Sequence, residues 1–149
     1  MNMIMNSWKK TLMAALLAGL QLPALAAGIP VKLYKNPNCG CCDIYADHLK
    51  ANGFEVQMIN TNDMVSVKQK FGVQEKLEGC HTATINGYVF EGLIPAEHIK
   101  RLLAERLPVK GLSVPGMPVG APGMPGNKKG PIHVYYLDAS ATPKVYASF

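Results

Sequence analysis

Three of the four cysteines lie within four positions of one another. Cys39, Cys41 and Cys42 belong to the segment KNPNCGCCDIYADHLKANG, residues 35–53, and Cys80 belongs to EGCHTATING, residues 78–87. A cysteine thiolate is the nucleophile of disulfide exchange and also a soft ligand for Cu(I), zinc and iron–sulfur clusters. Because a structural disulfide needs only two cysteines, this crowding indicates metal binding, redox chemistry or both.

Cys39 and Cys42 have Cys-x-x-Cys spacing at the start of a helical pattern. The free N–H groups and partial positive charge of a helix N-terminus stabilise a thiolate there. We therefore interpret Cys39 as the nucleophile, and Cys39 with Cys42 as the catalytic redox pair. Within a regular helix Cys41 would point away from Cys39, so it can join the pair only from a loop, for which Gly40 supplies backbone freedom.

The fourth cysteine is followed by a histidine, directly before a predicted strand. In thioredoxin-like proteins the loop at this position approaches the Cys-x-x-Cys pair and usually carries a cis-proline. This chain has no proline there and offers Cys80 and His81 instead. We predict that Cys80 completes a metal site with the three earlier cysteines, and we retain His81 as a candidate ligand or neighbour of that site.

The motif PGMP occurs twice, at residues 115–118 and 122–125, and presents Met117 and Met124. A thioether is a Cu(I) ligand that resists oxidation better than a thiol. Methionine also fills gaps under irregular loops, and for direct binding we favour that alternative. Both residues are kept as candidate ligands.

Copper is the metal that this set of ligands favours. Four-cysteine zinc sites usually come from paired Cys-x-x-Cys knuckles, which this chain lacks. Crowded thiolates repel one another, and several Cu(I) ions bridged by them would relieve that charge, so we expect Cu(I) bound as a small multinuclear cluster.

The elements that position these residues alternate between strand and helix patterns. VKLYKN and FEVQMIN read as strands, and a helix from about residue 40 to Asn52 lies between them. A second helix over residues 64–71, a hairpin in TATINGYVFEG with an Asn86-Gly87 turn, and a helix opened by Pro95 follow. The order predicts an α/β fold: a thioredoxin-like mixed four-stranded sheet flanked by helices, with the first two strands parallel.

The C-terminal third has a different composition. Residues 110–131 are rich in Pro, Gly and Met and lack apolar periodicity, which predicts a loop. Residues 132–149 predict a β-hairpin that covers one sheet edge. We assign residues 27–149 to one thioredoxin-like, copper-binding domain.

The N-terminus has the pattern of a secretory signal peptide. Lys9 and Lys10 precede an apolar run that is too short for a membrane helix, and small residues follow it. We predict a signal peptide over residues 1–26, cleaved after Ala26 or Ala27, and hence a periplasmic protein without a membrane anchor. The formal net charge of +5 for 149 residues includes those two lysines, and no basic cluster interleaves with aromatic residues, which excludes nucleic acid as a partner.

Three segments together resemble one known family. KNPNCGCCDIYADHLKANGFEV, GCHTATINGYVFEGLIPAEHIKRLLAE and GLSVPGMPVGAPGMPG are similar to the periplasmic copper-resistance proteins of CopG type, a family long catalogued as a domain of unknown function. The resemblance implies a thioredoxin-like fold and copper binding through Cys39, Cys41, Cys42 and Cys80. It also implies a role in copper tolerance beside the copper efflux and oxidase proteins of the periplasm.

Several alternatives to a copper and thiol oxidoreductase stay open. The cysteines could form purely structural disulfides, since four cysteines allow three pairings. A general thiol-disulfide oxidoreductase fits the predicted fold, although the missing cis-proline counts against it. A copper chaperone would bind the ion without redox change, so the sequence leaves open whether the protein is an enzyme.

Overall fold

Seven strands form one mixed sheet in the computed structural model, which describes residues 27–149. The predicted signal peptide, residues 1–26, lies outside the described residues. The elements in chain order are β1 (Ile29–Lys35), α1 (Gly40–Ala51), β2 (Phe54–Asn60), α2 (Met64–Lys70), a 3₁₀ turn (Glu75–Leu77), β3 (Thr82–Ile85), β4 (Tyr88–Gly92), α3 (Ala96–Glu105), β5 (Gly111–Val114), β6 (His133–Tyr136) and β7 (Val145–Ser148). Within residues 27–149, no helix has the length and apolarity that crossing a membrane requires.

The strands lie in the order β2-β1-β3-β4-β5-β6-β7. β1 and β2 are parallel, as the sequence predicts for strands joined by a helical crossover. β3 pairs antiparallel with both β1 and β4, and β4 pairs parallel with β5. The predicted α/β class is confirmed, and so is the tight turn between β3 and β4, where Asn86 and Gly87 have φ angles of 49° and 85°.

The prediction of a thioredoxin-like four-stranded sheet is wrong. β5 lies in residues 110–131, which the sequence assigns to a loop, and it pairs with β4. All four residues of β5 are buried, so the strand lacks the alternation that marks a half-exposed strand. The predicted C-terminal hairpin exists as β6 and β7, but β6 pairs with β5, so the hairpin continues the sheet to seven strands.

Helix α1 packs an apolar stripe against the sheet. Cys42, Tyr45, Ala46 and Leu49 are fully buried, and they follow the i, i+3, i+4, i+7 spacing of one helix face. The Tyr45 hydroxyl donates a hydrogen bond to the carbonyl of Ile94, at 2.9 Å. This packing fixes the rotation of α1, and therefore the direction in which its N-terminus presents the cysteines.

Candidate metal centre

The loop between β1 and α1 is held at both ends. The Cys39 amide donates to the Asn36 carbonyl at 3.0 Å, which makes a tight turn before the helix. Lys35 is buried at the end of β1, and its ammonium lies 3.1 Å from the Asp43 carboxylate in the first turn of α1. Cys39 occupies the N-cap position with extended backbone angles. Strand, turn and helix are thereby fixed around the three clustered cysteines.

The structure brings all four cysteine sulfurs together. The Sγ atoms of Cys39, Cys41, Cys42 and Cys80 lie within 4.8 Å of one another. Cys39 and Cys42 form a disulfide, while Cys41 and Cys80 are free thiols. The Cys41 sulfur lies 3.3 Å from that of Cys39 and 3.3 Å from that of Cys80. The predicted proximity of Cys80 to the other three cysteines is therefore confirmed, and Cys41 faces the group. Metal binding by these sulfurs stays a prediction.

Cys80 comes to the cluster from the other side, just before β3. Its sulfur lies 3.4 Å from that of Cys42 and 3.9 Å from that of Cys39. Burial raises the pKa of the Cys80 thiol to about 12, and the hydrogen bond with Cys41 adds to the rise. The thiol is thus protonated near neutral pH, and binding of a metal ion there must release that proton.

His81 is fully buried beside the cluster. Its ring packs against the ring of Tyr45 with centroids 4.4 Å apart, and its Nδ1 lies 3.4 Å from the Cys80 sulfur. Burial lowers the pKa of His81 to about 3, and the positive charge of Lys68 contributes to the shift, so the imidazole is neutral. Its nitrogens are not part of the four-sulfur group, and Nε2 has no hydrogen-bond partner among the described residues.

The two PGMP motifs occupy different positions at the site. The Met117 sulfur lies 3.9 Å from the Cys41 sulfur, and the Met117 side chain is 53% exposed. Met124 is half-buried and packs against the core. The second motif approaches the cysteines through its backbone, because a Cβ at Gly123 would lie only 2.7 Å from the Cys41 carbonyl oxygen.

Three charged residues lie near the cluster and were not predicted from the sequence. Lys35, Lys68 and Glu91 are all buried, and Lys68 pairs with Glu91 behind Cys80. Lys35 follows Val31 and Leu33 at every second position of β1, so the period of a strand could have identified it. Nothing in the sequence pairs Lys68 with Glu91, because the two residues lie on separate elements.

Comparisons with known proteins agree on one family. Residues 77–124 match the family model described as "Protein of unknown function, DUF411". Two solved structures, named "Copper resistance protein copG- Form 2" and "Copper resistance protein copG- Form 1", are each 39% identical to this chain. Each match covers 82% of this chain and 98% of the other, with TM-scores of 0.75 and 0.74. A search of curated proteins found no match.

Proposed function

Since the chain belongs to the family of copper resistance protein CopG, we propose that it is an exported copper-binding thiol protein of copper resistance. In this proposal Cys39, Cys41, Cys42 and Cys80 bind Cu(I), which is the substrate and cargo of the protein. The observation that carries the proposal is the meeting of four sulfurs within 4.8 Å. Soft sulfur ligands favour Cu(I) over harder cations.

The redox state of the cysteines controls how many ligands are present. With the Cys39–Cys42 disulfide closed, only the thiols of Cys41 and Cys80 remain. Reduction restores two further thiols within the same cluster. Deprotonated, these four sulfurs would carry four negative charges, and several bridged Cu(I) ions would balance that charge better than one. We therefore expect the reduced protein to bind more than one Cu(I).

We propose that Cys39 and Cys42 exchange electrons with copper. Two Cu(II) ions each accept one electron from the dithiol and become Cu(I). The two thiols release two protons to solvent, and their sulfurs join as the disulfide. In the reverse direction, two Cu(I) ions donate one electron each to the disulfide, and two protons are taken up. The position of the pair at the N-terminus of α1 supports this role, because thiolates are stabilised there.

The proposed location is the periplasm, with copper efflux and oxidase proteins as neighbours in the same process. The support is the signal-peptide pattern of residues 1–26 together with the family name. N-terminal sequencing of the exported protein would test cleavage after Ala26 or Ala27.

An anaerobic titration with Cu(I) tests the proposed function. We expect the fully reduced protein to bind more than one Cu(I) tightly. The protein with its disulfide intact should bind Cu(I) at least about 100-fold more weakly, because half of its thiol ligands are withdrawn. Competition with a chromophoric Cu(I) chelator, with a thiol count on the same sample, measures both states. A reduced protein that binds no Cu(I) would end the proposal.

Met117 provides a further prediction. Its thioether lies beside Cys41, so replacing it with leucine should weaken Cu(I) binding by about 3- to 10-fold while leaving the fold intact. Met58→Leu is the matched control, since Met58 is also exposed and lies on β2. Met124→Leu should leave the affinity unchanged, because Met124 packs against the core. Equal affinities for Met117→Leu and Met58→Leu would remove Met117 from the site.

A general thiol-disulfide oxidoreductase is the second candidate. The Cys39–Cys42 disulfide at a helix N-terminus favours it. The contacts of this disulfide argue against it, because the sulfurs of Cys41 and Cys80 lie within 3.4 Å of its atoms, where the attacking thiol of a substrate would have to enter. Reduction of insulin separates the two functions: turnover comparable to that of a thioredoxin would favour the second candidate.

A further inference from the structure

We propose that a buried ion pair, formed by Lys68 on α2 and Glu91 on β4, positions Cys80 against the other three sulfurs. We call this pair the clamp. The inference rests on the proposed function for its consequence in copper binding, while the geometry that it assigns can be tested on the metal-free protein.

The clamp forms hydrogen bonds with the chain on both sides of Cys80. The Glu91 carboxylate is fully buried, and one of its oxygens accepts a hydrogen bond from the Gly79 amide at 2.8 Å. Its other oxygen accepts from the Thr82 hydroxyl at 2.6 Å. The Lys68 ammonium pairs with Glu91 and donates to the Gly79 carbonyl at 3.0 Å. Both backbone groups of Gly79 and the side chain of Thr82 are therefore held by one charge pair.

A buried ion pair is a poor means of stabilising a fold. The cost of removing both charges from water roughly cancels their attraction, and apolar replacements of similar size are often neutral or stabilising. Here both charged groups have hydrogen-bond partners, and their side-chain hydrogen bonds outside the pair all go to residues 79–82. What the arrangement provides is a fixed position for that segment, which is the usual requirement for a metal ligand.

Neighbouring backbone segments on two sides confine the chain around Gly79. A Cβ at position 79 would sit 2.5 Å from the Cα of Gly92, so the segment packs directly on the end of β4. On its other side, the Gly116 amide donates to the Glu78 carbonyl at 2.8 Å. Met117 follows Gly116 directly. The loop that carries Met117 is thus anchored to the segment that the clamp holds.

The first test is a comparison of Cu(I) affinities in two backgrounds. The clamp variant combines Lys68→Met and Glu91→Leu, which removes both charges together, leaves neither one buried alone and removes the hydrogen bonds to Gly79 and Thr82. We expect it to bind Cu(I) at least about 10-fold more weakly than the wild type. In a background that carries both Cys80→Ser and Met117→Leu, the same two substitutions should change the affinity by less than about twofold, because the ligands on the segments that the clamp holds are gone.

The second test needs no copper. In the protein with the Cys39–Cys42 disulfide intact, diamide can take two electrons and two protons from Cys41 and Cys80 and join them, since their sulfurs lie 3.3 Å apart. We expect the clamp variant to form this disulfide at least about 10-fold more slowly than the wild type, because the rate depends on how often the two sulfurs meet. Mass mapping of the cross-linked peptide measures the yield with time.

The control replaces an exposed ion pair on α1, with Asp47→Asn and Lys50→Met, and should behave as the wild type in both tests. If the clamp variant does not fold, as judged by circular dichroism, Thr82→Val removes one contact to Glu91 and should shift both readouts in the same direction, with Thr82→Ser restoring them. Cross-linking at the wild-type rate, or an equal loss of affinity in both backgrounds, would overturn the proposal. Slow cross-linking in a chain whose wild type binds no Cu(I) would support the clamp and refute the copper function.

Discussion

Replacing Cys80 with serine is expected to lower the Cu(I) affinity of the reduced protein by at least about 100-fold. Cys80 is the one sulfur of the cluster that does not come from the start of α1, and its sulfur lies within 3.4 Å of those of Cys41 and Cys42. Without it, the remaining thiols all belong to one short segment and leave one side of the metal to solvent. A serine hydroxyl is a hard ligand that cannot replace the thiolate.

The measurement is an anaerobic competition titration on fully reduced protein. Thr84→Ser is the control, because it is a conservative change on β3, the same strand that Cys80 precedes. The control should keep the wild-type affinity. An affinity for Cys80→Ser within about threefold of the wild type would remove Cys80 from the copper site.

A second prediction concerns a variant that should still transfer electrons to copper but no longer bind it. A variant with Cys41→Ser and Cys80→Ser keeps only Cys39 and Cys42, so we expect its reduced form to convert two Cu(II) ions to Cu(I) and then to release them. The wild type is less informative here, because Cys41 and Cys80 lie 3.3 Å apart and can also be oxidised. The double variant should therefore reduce copper normally while failing to retain it.

Addition of Cu(II) under anaerobic conditions tests this expectation. The Cu(I) formed is counted with a chelator, and the protein thiols are counted before and after. Two thiols should disappear for every two Cu(I) that appear. The matched control, with all four cysteines changed to serine, should produce no Cu(I). Unchanged thiols in the double variant would contradict a redox role for the Cys39 and Cys42 pair.

The sequence predicted the cluster well because its members follow local rules. Cys39 and Cys42 lie at a helix start that the helical periodicity identifies, and Tyr45 and Leu49 mark the buried face that orients the helix. The convergence of Cys80 was predicted from its place in the loop that thioredoxin-like proteins bring close to the Cys-x-x-Cys pair. These features depend on residues near one another in the chain or on topology, both of which a pattern can show.

Other features depend on contacts that no local pattern contains. β5 is a four-residue strand next to a Pro- and Gly-rich loop, and it exists because β4 offers an edge for pairing. Lys68 looks like an ordinary polar residue of a short helix, yet it is buried because Glu91 lies opposite. Met117 and Met124 have identical neighbours in sequence, and only the tertiary structure distinguishes the exposed one beside Cys41 from the one packed in the core.

The disulfide joins two residues that are close in sequence, which limits its contribution to folding stability. A cross-link between residues three apart, as in Cys39–Cys42, restricts the denatured ensemble by only about 2 kcal/mol, whereas one spanning the 41 residues from Cys39 to Cys80 would contribute about 4 kcal/mol in the same entropic treatment. Opening the short loop therefore costs less than opening the long one would. In the redox cycle proposed above, each opening of the Cys39–Cys42 bond would therefore lower the free energy of unfolding by about 2 kcal/mol, roughly half of what opening the longer cross-link would cost.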